Sequence, residues 1–135
     1  MARVTGIGGV FFKVKDPAKT RNWYKEHLGF NTDEYGSNFE WRQADAGTEK
    51  GFTQWSPLKP DSDYFDGHFM MNYRVTDMDA LLKKLKDKGV EIVDEVETHD
   101  YGKFVPIIDG DGSKIELWEP NDEVYDDMVG EGRTK

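Results

Sequence analysis

The sequence repeats itself, and the repeat limits what it can fold into. Val14-Lys15-Asp16 returns as Val75-Thr76-Asp77, and Gly29 returns as Gly89. Phe52-Thr53-Gln54-Trp55-Ser56-Pro57 returns as Ile115-Glu116-Leu117-Trp118-Glu119-Pro120. The offset is about sixty residues throughout. Each half reads as a strand, an Asp-capped helix ending in Gly, then three strands: βαβββ. One such half cannot bury both sides of a curved sheet, so two must pair. The expected fold is α+β, with helices over one face of curved mixed sheets and a cleft enclosed by the other.

The strand and helix signals are local. Val4 to Asp16 reads as the first strand. Asp16-Pro17 then opens a helix, Asp as N-cap and Pro at the first helical position. Trp23, Tyr24, His27 and Leu28 keep helical spacing, and Gly29 closes it. Strands are predicted over 30–35, 38–44 and 51–56, with the polar run 45–50 as a separator. In the second half they are predicted over 69–76, 90–96, 104–108 and 114–118. Between 69–76 and 90–96, Asp77 caps a helix carrying Met78, Leu81, Leu82 and Leu85. Module one therefore spans about 4–57, a Pro- and Asp-rich linker 58–67, and module two about 68–120. Together these make a single domain over 1–120, followed by an acidic tail over 121–135. The tail carries Val124, Tyr125, Met128 and Val129, enough for an amphipathic turn or two, with mobile last residues.

Charge and composition exclude several classes. The 135 residues carry a net charge of −9, which disfavours nucleic acid and anionic membranes as partners. No cysteine is present, so disulfides, thiolate metal sites and cysteine nucleophiles are excluded. No apolar run reaches membrane-spanning length and no secretory leader is legible, so the expected compartment is the cytoplasm. Gly6-Ile7-Gly8-Gly9 opens a strand, not a helix, and so lacks the context of a dinucleotide loop. Neither a Gly-x-Ser-x-Gly elbow nor a phosphate loop occurs.

The stretch Asp109 to Pro120 is the richest. A Gly/Asp turn leads into a strand with Ile115 and Leu117 on one face and Lys114, Glu116 and Trp118 on the other. A carboxylate between a base and a large aromatic suits the wall of a pocket; a solvated edge strand is the alternative. As a calcium loop the stretch fails, because Ile107 and Trp118 fall at the terminal ligand positions.

Two runs carry a family resemblance. Val14-Lys15-Asp16-Pro17 with Trp23-Tyr24-Lys25-Glu26-His27-Leu28-Gly29-Phe30 resembles the opening module of the vicinal oxygen chelate superfamily, and Asp109 to Pro120 resembles its closing strand. That superfamily holds glyoxalase I, bleomycin-resistance proteins, fosfomycin-resistance enzymes and extradiol dioxygenases. The resemblance covers roughly Val4 to Pro120 by the repeat, and implies the glyoxalase/bleomycin-resistance/dioxygenase fold. It leaves activity open, because one fold hosts many functions.

In metal-using members of that superfamily, four ligands come from the first and last strands of each module. Carried onto this sequence they fall at Gly9, Thr53, Met70 and Glu116. Of these Glu116 alone is a good ligand, and three protein ligands are the usual minimum for catalytic zinc. His68 and His99 could relocate a site, though each reads more simply as a loop or strand-mouth histidine.

Parity places Phe11, Lys13, Thr53, Trp55, Asn72, Arg74, Lys114, Glu116 and Trp118 on the concave face, with Met70 beside them. Two indoles, a phenyl ring, cations, a carboxylate and neutral hydrogen-bonding groups compose a small-molecule site. Trp55 and Trp118 should face each other across it, with Glu116 the candidate acid or base. The leading expectation is a bleomycin-resistance-like protein binding an aromatic or cationic small molecule, without a catalytic metal or other cofactor. The alternative is a divalent-metal-dependent lyase, isomerase or dioxygenase with relocated ligands. Exposed sheet edges favour a twofold homodimer.

Overall fold

In the computed structural model, residues 2–131 and 133–134 are described. The elements run β1 (Val4–Lys13), α1 (Pro17–Leu28), β2 (Ser37–Gln43), β3 (Ala46–Leu58), β4 (Phe69–Val75), α2 (Met78–Asp87), β5 (Glu97–His99), β6 (Gly102–Ile108), β7 (Lys114–Pro120), α3 (Asp122–Val129) and β8 (Arg133–Thr134). All eight strands form one mixed sheet in the order β5-β6-β7-β4-β1-β3-β2-β8. Each module opens with a strand that pairs in parallel with the module's last strand, β1 with β3 and β4 with β7. The modules join within the chain, where β1 runs antiparallel to β4 with Val10 opposite Met71.

The helix caps form where the sequence places them. The Asp16 side chain accepts a hydrogen bond from Lys19 N at 3.3 Å, and Gly29 ends α1 at φ 73°. The Asp77 carboxylate accepts from Ala80 N at 3.4 Å, and Gly89 follows α2 at φ 79°. Each helix covers the same face of its own module. Under α2 lie Val75, Leu81, Leu82, Val105, Ile107 and Leu117. Under α1 lies an aromatic cluster in which Trp55 meets Tyr24 at 4.7 Å, Phe30 at 4.9 Å and Phe12 at 5.4 Å.

Four local departures from the predicted elements have identifiable causes. The strand expected over 30–35 contracts to a single bridge, Asp33 to Gly36. There the Asp33 carboxylate accepts from Tyr35 N, making a side-chain turn that competes with strand pairing. The supposed separator 45–50 is mostly strand, because β2 and β3 form a hairpin with Arg42 opposite Lys50 and Gln43 opposite Ala46. The strand expected over 90–96 reduces to an Ile92–Ile107 bridge, and pairing resumes only at Glu97. The acidic tail is ordered: Asn121 caps α3 by accepting from Val124 N, and Arg133–Thr134 pair with Asn38–Phe39 of β2. Lys135, the very end of the tail expected to be mobile, lies outside the described residues.

Candidate functional site

Register decides which side chains share the concave face. β1 carries a shift between Ile7 and Gly9, so Gly9 stands opposite Asn72 and Phe11 opposite Met70. At Gly8 a Cβ would clash with Asn72 Oδ1, and its other neighbours are Trp118 and Arg74. The missing side chain lets β4 and β7 carry large polar groups over β1. In the parallel pairs Phe11 aligns with Ser56 and Asn72 with Glu116. Phe11 and Asn72 are the equivalent positions of the two modules, so Ser56 is the register counterpart of Glu116.

That register corrects one part of the expected site. Matching the two Trp-containing motifs pairs Thr53 with Glu116, an offset of 116 − 53 = 63 residues; strand register gives 116 − 56 = 60. The difference is odd, and an odd slip moves a whole strand's side chains to the other face. Trp55 accordingly packs beneath α1, not across the cleft from Trp118. Thr53 is occupied at the strand junction, donating to Ile7 O at 2.6 Å and accepting from Trp41 Nε1 at 2.9 Å. Phe52 and Gln54 take the concave side instead, against Tyr125 of α3.

The remaining predicted residues do come together, in two groups. The first surrounds Glu116. Glu116 is 5 % exposed. Asn72 Nδ2 donates to Oε1 at 2.7 Å, and the Tyr64 hydroxyl donates to Oε2. Tyr64 comes from the linker, which lysines tie down: Lys114 Nζ donates to Tyr64 O at 3.0 Å, and Lys13 Nζ to Phe65 O at 2.6 Å. Lys13 also lies 5.0 Å from the centre of the Phe65 ring, and Phe11 sets its edge against Tyr64 at 5.6 Å. Met70 is buried nearby on β4. A cleft of about 440 Å³ opens onto this group, lined by Tyr64, Glu97, Phe104, Pro106, Lys114 and Glu116 among others.

Burial raises the Glu116 carboxyl above the usual carboxylate range, and the hydrogen bonds from Tyr64 and Asn72 oppose that rise only in part. Burial, with the Glu116 charge beside it, pushes the Tyr64 phenol upward as well. Among the described residues no cation forms a direct ion pair with Glu116; the Lys114 charge favours its ionised form from a distance, and the Glu97 charge opposes it. The group is a carboxyl held by neutral donors, able to accept a hydrogen bond or a proton from whatever enters.

The second group lies on the other side of Trp118. Arg74, 1 % exposed, binds Asp122 of α3 through both terminal nitrogens at 2.8 and 2.6 Å. Its guanidinium carbon lies 5.2 Å from the Trp41 ring and 5.5 Å from the Trp118 ring. Trp118 stacks on Phe104 at 5.5 Å and meets the edge of Tyr125 at 4.9 Å. This half of the concave face is covered by α3.

Tyr64, Phe52, Asp122 and Tyr125 escaped the sequence reading. The linker did offer a signal, since Tyr64-Phe65 is an aromatic pair in an otherwise polar run. The tail offered another: Asp122, Tyr125 and Asp126 recur at the spacing of one helix face.

The residues at the metal positions do not fit a divalent-metal centre. Gly9 has no side chain, Met70 is a soft thioether, and neither Thr53 nor its register replacement Ser56 is more than a neutral oxygen. Both Glu116 oxygens already accept hydrogen bonds. Among the described residues no three His, Cys, Asp or Glu side chains converge. His68 is exposed at the mouth of β4, and His99 stacks on Tyr101 at 5.0 Å beside Glu97.

A sheet of two paired modules with a cleft on the face away from α1 and α2 defines a fold class built on one repeated unit. The sequence profile of the Glyoxalase/Bleomycin resistance protein/Dioxygenase superfamily matches residues 6–117, and the chain belongs to that superfamily. Among solved structures it is similar to methylmalonyl-CoA epimerase from Mycobacterium tuberculosis, at 24 % identity and TM-score 0.62 over 90 % of this chain and 92 % of that one. It is also similar to Streptomyces coelicolor methylmalonyl-CoA epimerase (E43Q) in complex with 2-nitronate-propionyl-CoA, at 17 % identity and TM-score 0.66 over 88 % and 99 %. A third, NAD-dependent benzaldehyde dehydrogenase from Legionella pneumophila, matches at 17 % identity and TM-score 0.53 over 84 % and 98 %. Such different names on one fold mean that these likenesses establish the fold alone. No curated protein matches the chain. Among the described residues no helix is long and apolar enough to cross a membrane.

Proposed function

We propose that the protein binds a small aromatic or cationic molecule in the cleft over Glu116, without a resident catalytic metal. One observation carries this reading: a buried carboxylate satisfied only by neutral donors, beside aromatic walls. Removing a charge from water is costly unless an opposite charge compensates it. A ligand ammonium or amidinium would supply that charge, while Tyr64 and Phe104 offer ring faces to its flat part. Phe11 and Asn72 support the wall from behind through Tyr64 and Glu116, and Met70 is buried on the same strand as Asn72. Lys13 and Lys114 hold the linker that carries Tyr64, and Lys114 also lines the cleft.

Calorimetry with benzamidine and tyramine, set against neutral benzamide and 4-ethylphenol, tests the proposal. The cations should bind tighter, and Glu116→Gln should erase the difference. Equal binding of charged and neutral members would reject it. The competing reading, a divalent-metal-dependent lyase, isomerase or dioxygenase, predicts stoichiometric metal in protein purified without chelator, which elemental analysis measures. A homodimer also belongs to the proposal, because short edge strands β5 and β8 leave sheet edges for a second subunit to cover. Light scattering should return twice the chain mass.

A further inference from the structure

Arg74 is the most demanding side chain on the concave face. A guanidinium 1 % exposed between two indoles requires an anion, because an unpaired buried charge is strongly destabilising. The anion, Asp122, comes from a segment outside the residues 6–117 that the family profile matches. That segment is held by its side chains more than by its backbone: Asp126 pairs with Lys50 and Arg133, Arg133 also pairs with Glu40, and Asn31 and Ser37 bond its last residues. α3 has eight residues, too few to be stable alone, and Tyr125 is its one buried residue. β8 pairs with β2 over two residues.

What α3 places in the groove has the form of a ligand. Asp122 gives a carboxylate to both terminal nitrogens of Arg74. The Tyr125 ring sits 5.4 Å from Phe52 and 4.9 Å from Trp118. Its hydroxyl donates to Asn38 Oδ1 at 2.6 Å, with Gln54 Oε1 at 3.2 Å. The groove thus provides a fork for a carboxylate, an aromatic slot, and two amide oxygens at the far end. It also holds unused capacity, since among the described residues Arg74 Nε has no hydrogen-bond partner although it is buried. Groups of this kind are normally satisfied.

We propose that the groove beneath α3 is a second ligand site. It takes an aromatic carboxylate bearing a hydrogen-bond donor on its ring, and Asp122 and Tyr125 are its resident occupants, displaced when such a ligand binds. The bidentate match of carboxylate to guanidinium supplies specificity. The Glu116 cleft repels the same ligand, so the two sites sort molecules by charge.

The probe is 3-(4-hydroxyphenyl)propionate, with neutral 4-ethylphenol as the control that keeps the phenol and lacks the carboxylate. In the full chain carrying Asp122→Ala and Tyr125→Ala, the probe should raise the melting temperature. It should also bind at least about tenfold tighter than to wild type, a difference of ~1.4 kcal/mol. Adding Arg74→Met should abolish both effects. In the wild-type chain, probe at concentrations that saturate the tryptophan fluorescence change should speed amide exchange across 122–134. Failure of the probe to stabilise a folded double variant, equal stabilisation by 4-ethylphenol, or indifference to Arg74→Met would overturn the proposal. If the double variant does not fold, wild-type exchange decides alone: unchanged exchange across 122–134 at saturation, or no fluorescence response, rejects it.

Discussion

On one side of Trp118 the concave face is filled by the chain's own C-terminal helix; on the other it stands open to Glu116. Each side buries a charge. Arg74 and Glu116 sit on neighbouring paired strands, with Arg74 aligned to Trp118 and Asn72 to Glu116. Their environments differ in kind. Arg74 is matched by a bidentate carboxylate, whereas Glu116 is held by an amide and a phenol. A charge matched by its own chain is a structural element first. A charge left with neutral donors beside a 440 Å³ cleft retains free energy that an incoming cation can recover.

Removing Asp122 should break this contrast most severely. Asp122→Ala strands a buried guanidinium, and breaking a buried pair in this way costs about 3–5 kcal/mol. Arg74→Met should cost less, because the Asp122 side chain is 30 % exposed and its carboxylate can hydrate. Urea denaturation of the two variants measures the asymmetry; equal losses would mean that Arg74 acts through packing alone. Tyr125→Phe comes next. It deletes one hydroxyl and leaves the Asn38 and Gln54 oxygens without their donor, for about 1–2 kcal/mol. A change below experimental error would show that water replaces the hydroxyl freely.

The filled half is also the half that the sequence hid. The caps at Asp16-Pro17 and Gly29 and the alternation along β4 and β7 are local signals, and they placed Asn72, Arg74, Glu116 and Trp118 on one face. Trp55 was different. Its apparent equivalence to Trp118 rests on a shared Trp-x-Pro pattern, while its true facing depends on how β3 registers against β1, a non-local property. Phe52 was missed for the same reason. The tail's helix owes its position to a carboxylate reaching across to Arg74, 48 residues earlier in the chain, which no window of sequence displays. Tyr64 sits in a linker with no periodicity, and only the three-dimensional path of that linker brings its hydroxyl to Glu116.

Glu116→Gln sharpens the comparison from the open side. Its volume is almost unchanged, but the amide keeps one acceptor where the carboxylate had two, so the Tyr64 hydroxyl must turn to accept from the new NH2. With the buried charge removed as well, stability near neutral pH should move by less than about 1 kcal/mol. The pH dependence carries the signature. Burial raises the folded-state pKa of Glu116 above its unfolded value, so the folded chain holds the proton more tightly. Between those two values the folded state binds more protons than the unfolded one, and stability falls as pH rises. The penalty is absent below the unfolded pKa and complete above the folded one. Glu116→Gln should remove this contribution to the slope in that acidic window. An identical slope in parent and variant would place the Glu116 carboxylate in an unperturbed, water-like setting.

Tyr64→Phe should be the mildest change to stability, since Tyr64 is 40 % exposed and water can reach the vacated position. Its effect falls on the carboxyl instead. The Tyr64 hydrogen bond opposes the burial that raises Glu116, so losing it should move the Glu116 titration further upward. The stability slope then extends to higher pH, opposite to the flattening produced by Glu116→Gln. Binding should respond in step: benzamidine needs the ionised carboxylate, so the pH midpoint of its affinity should rise in Tyr64→Phe. Above that midpoint the variant should bind more tightly, because one carboxylate oxygen no longer has a resident donor to be displaced. Calorimetry across the acidic range, in buffers of different ionisation enthalpy, counts the proton released on binding and locates the midpoint. A midpoint unmoved by loss of the hydroxyl would mean that Tyr64 does not share the carboxylate with the ligand, and that the open half of the face is read by its shape alone.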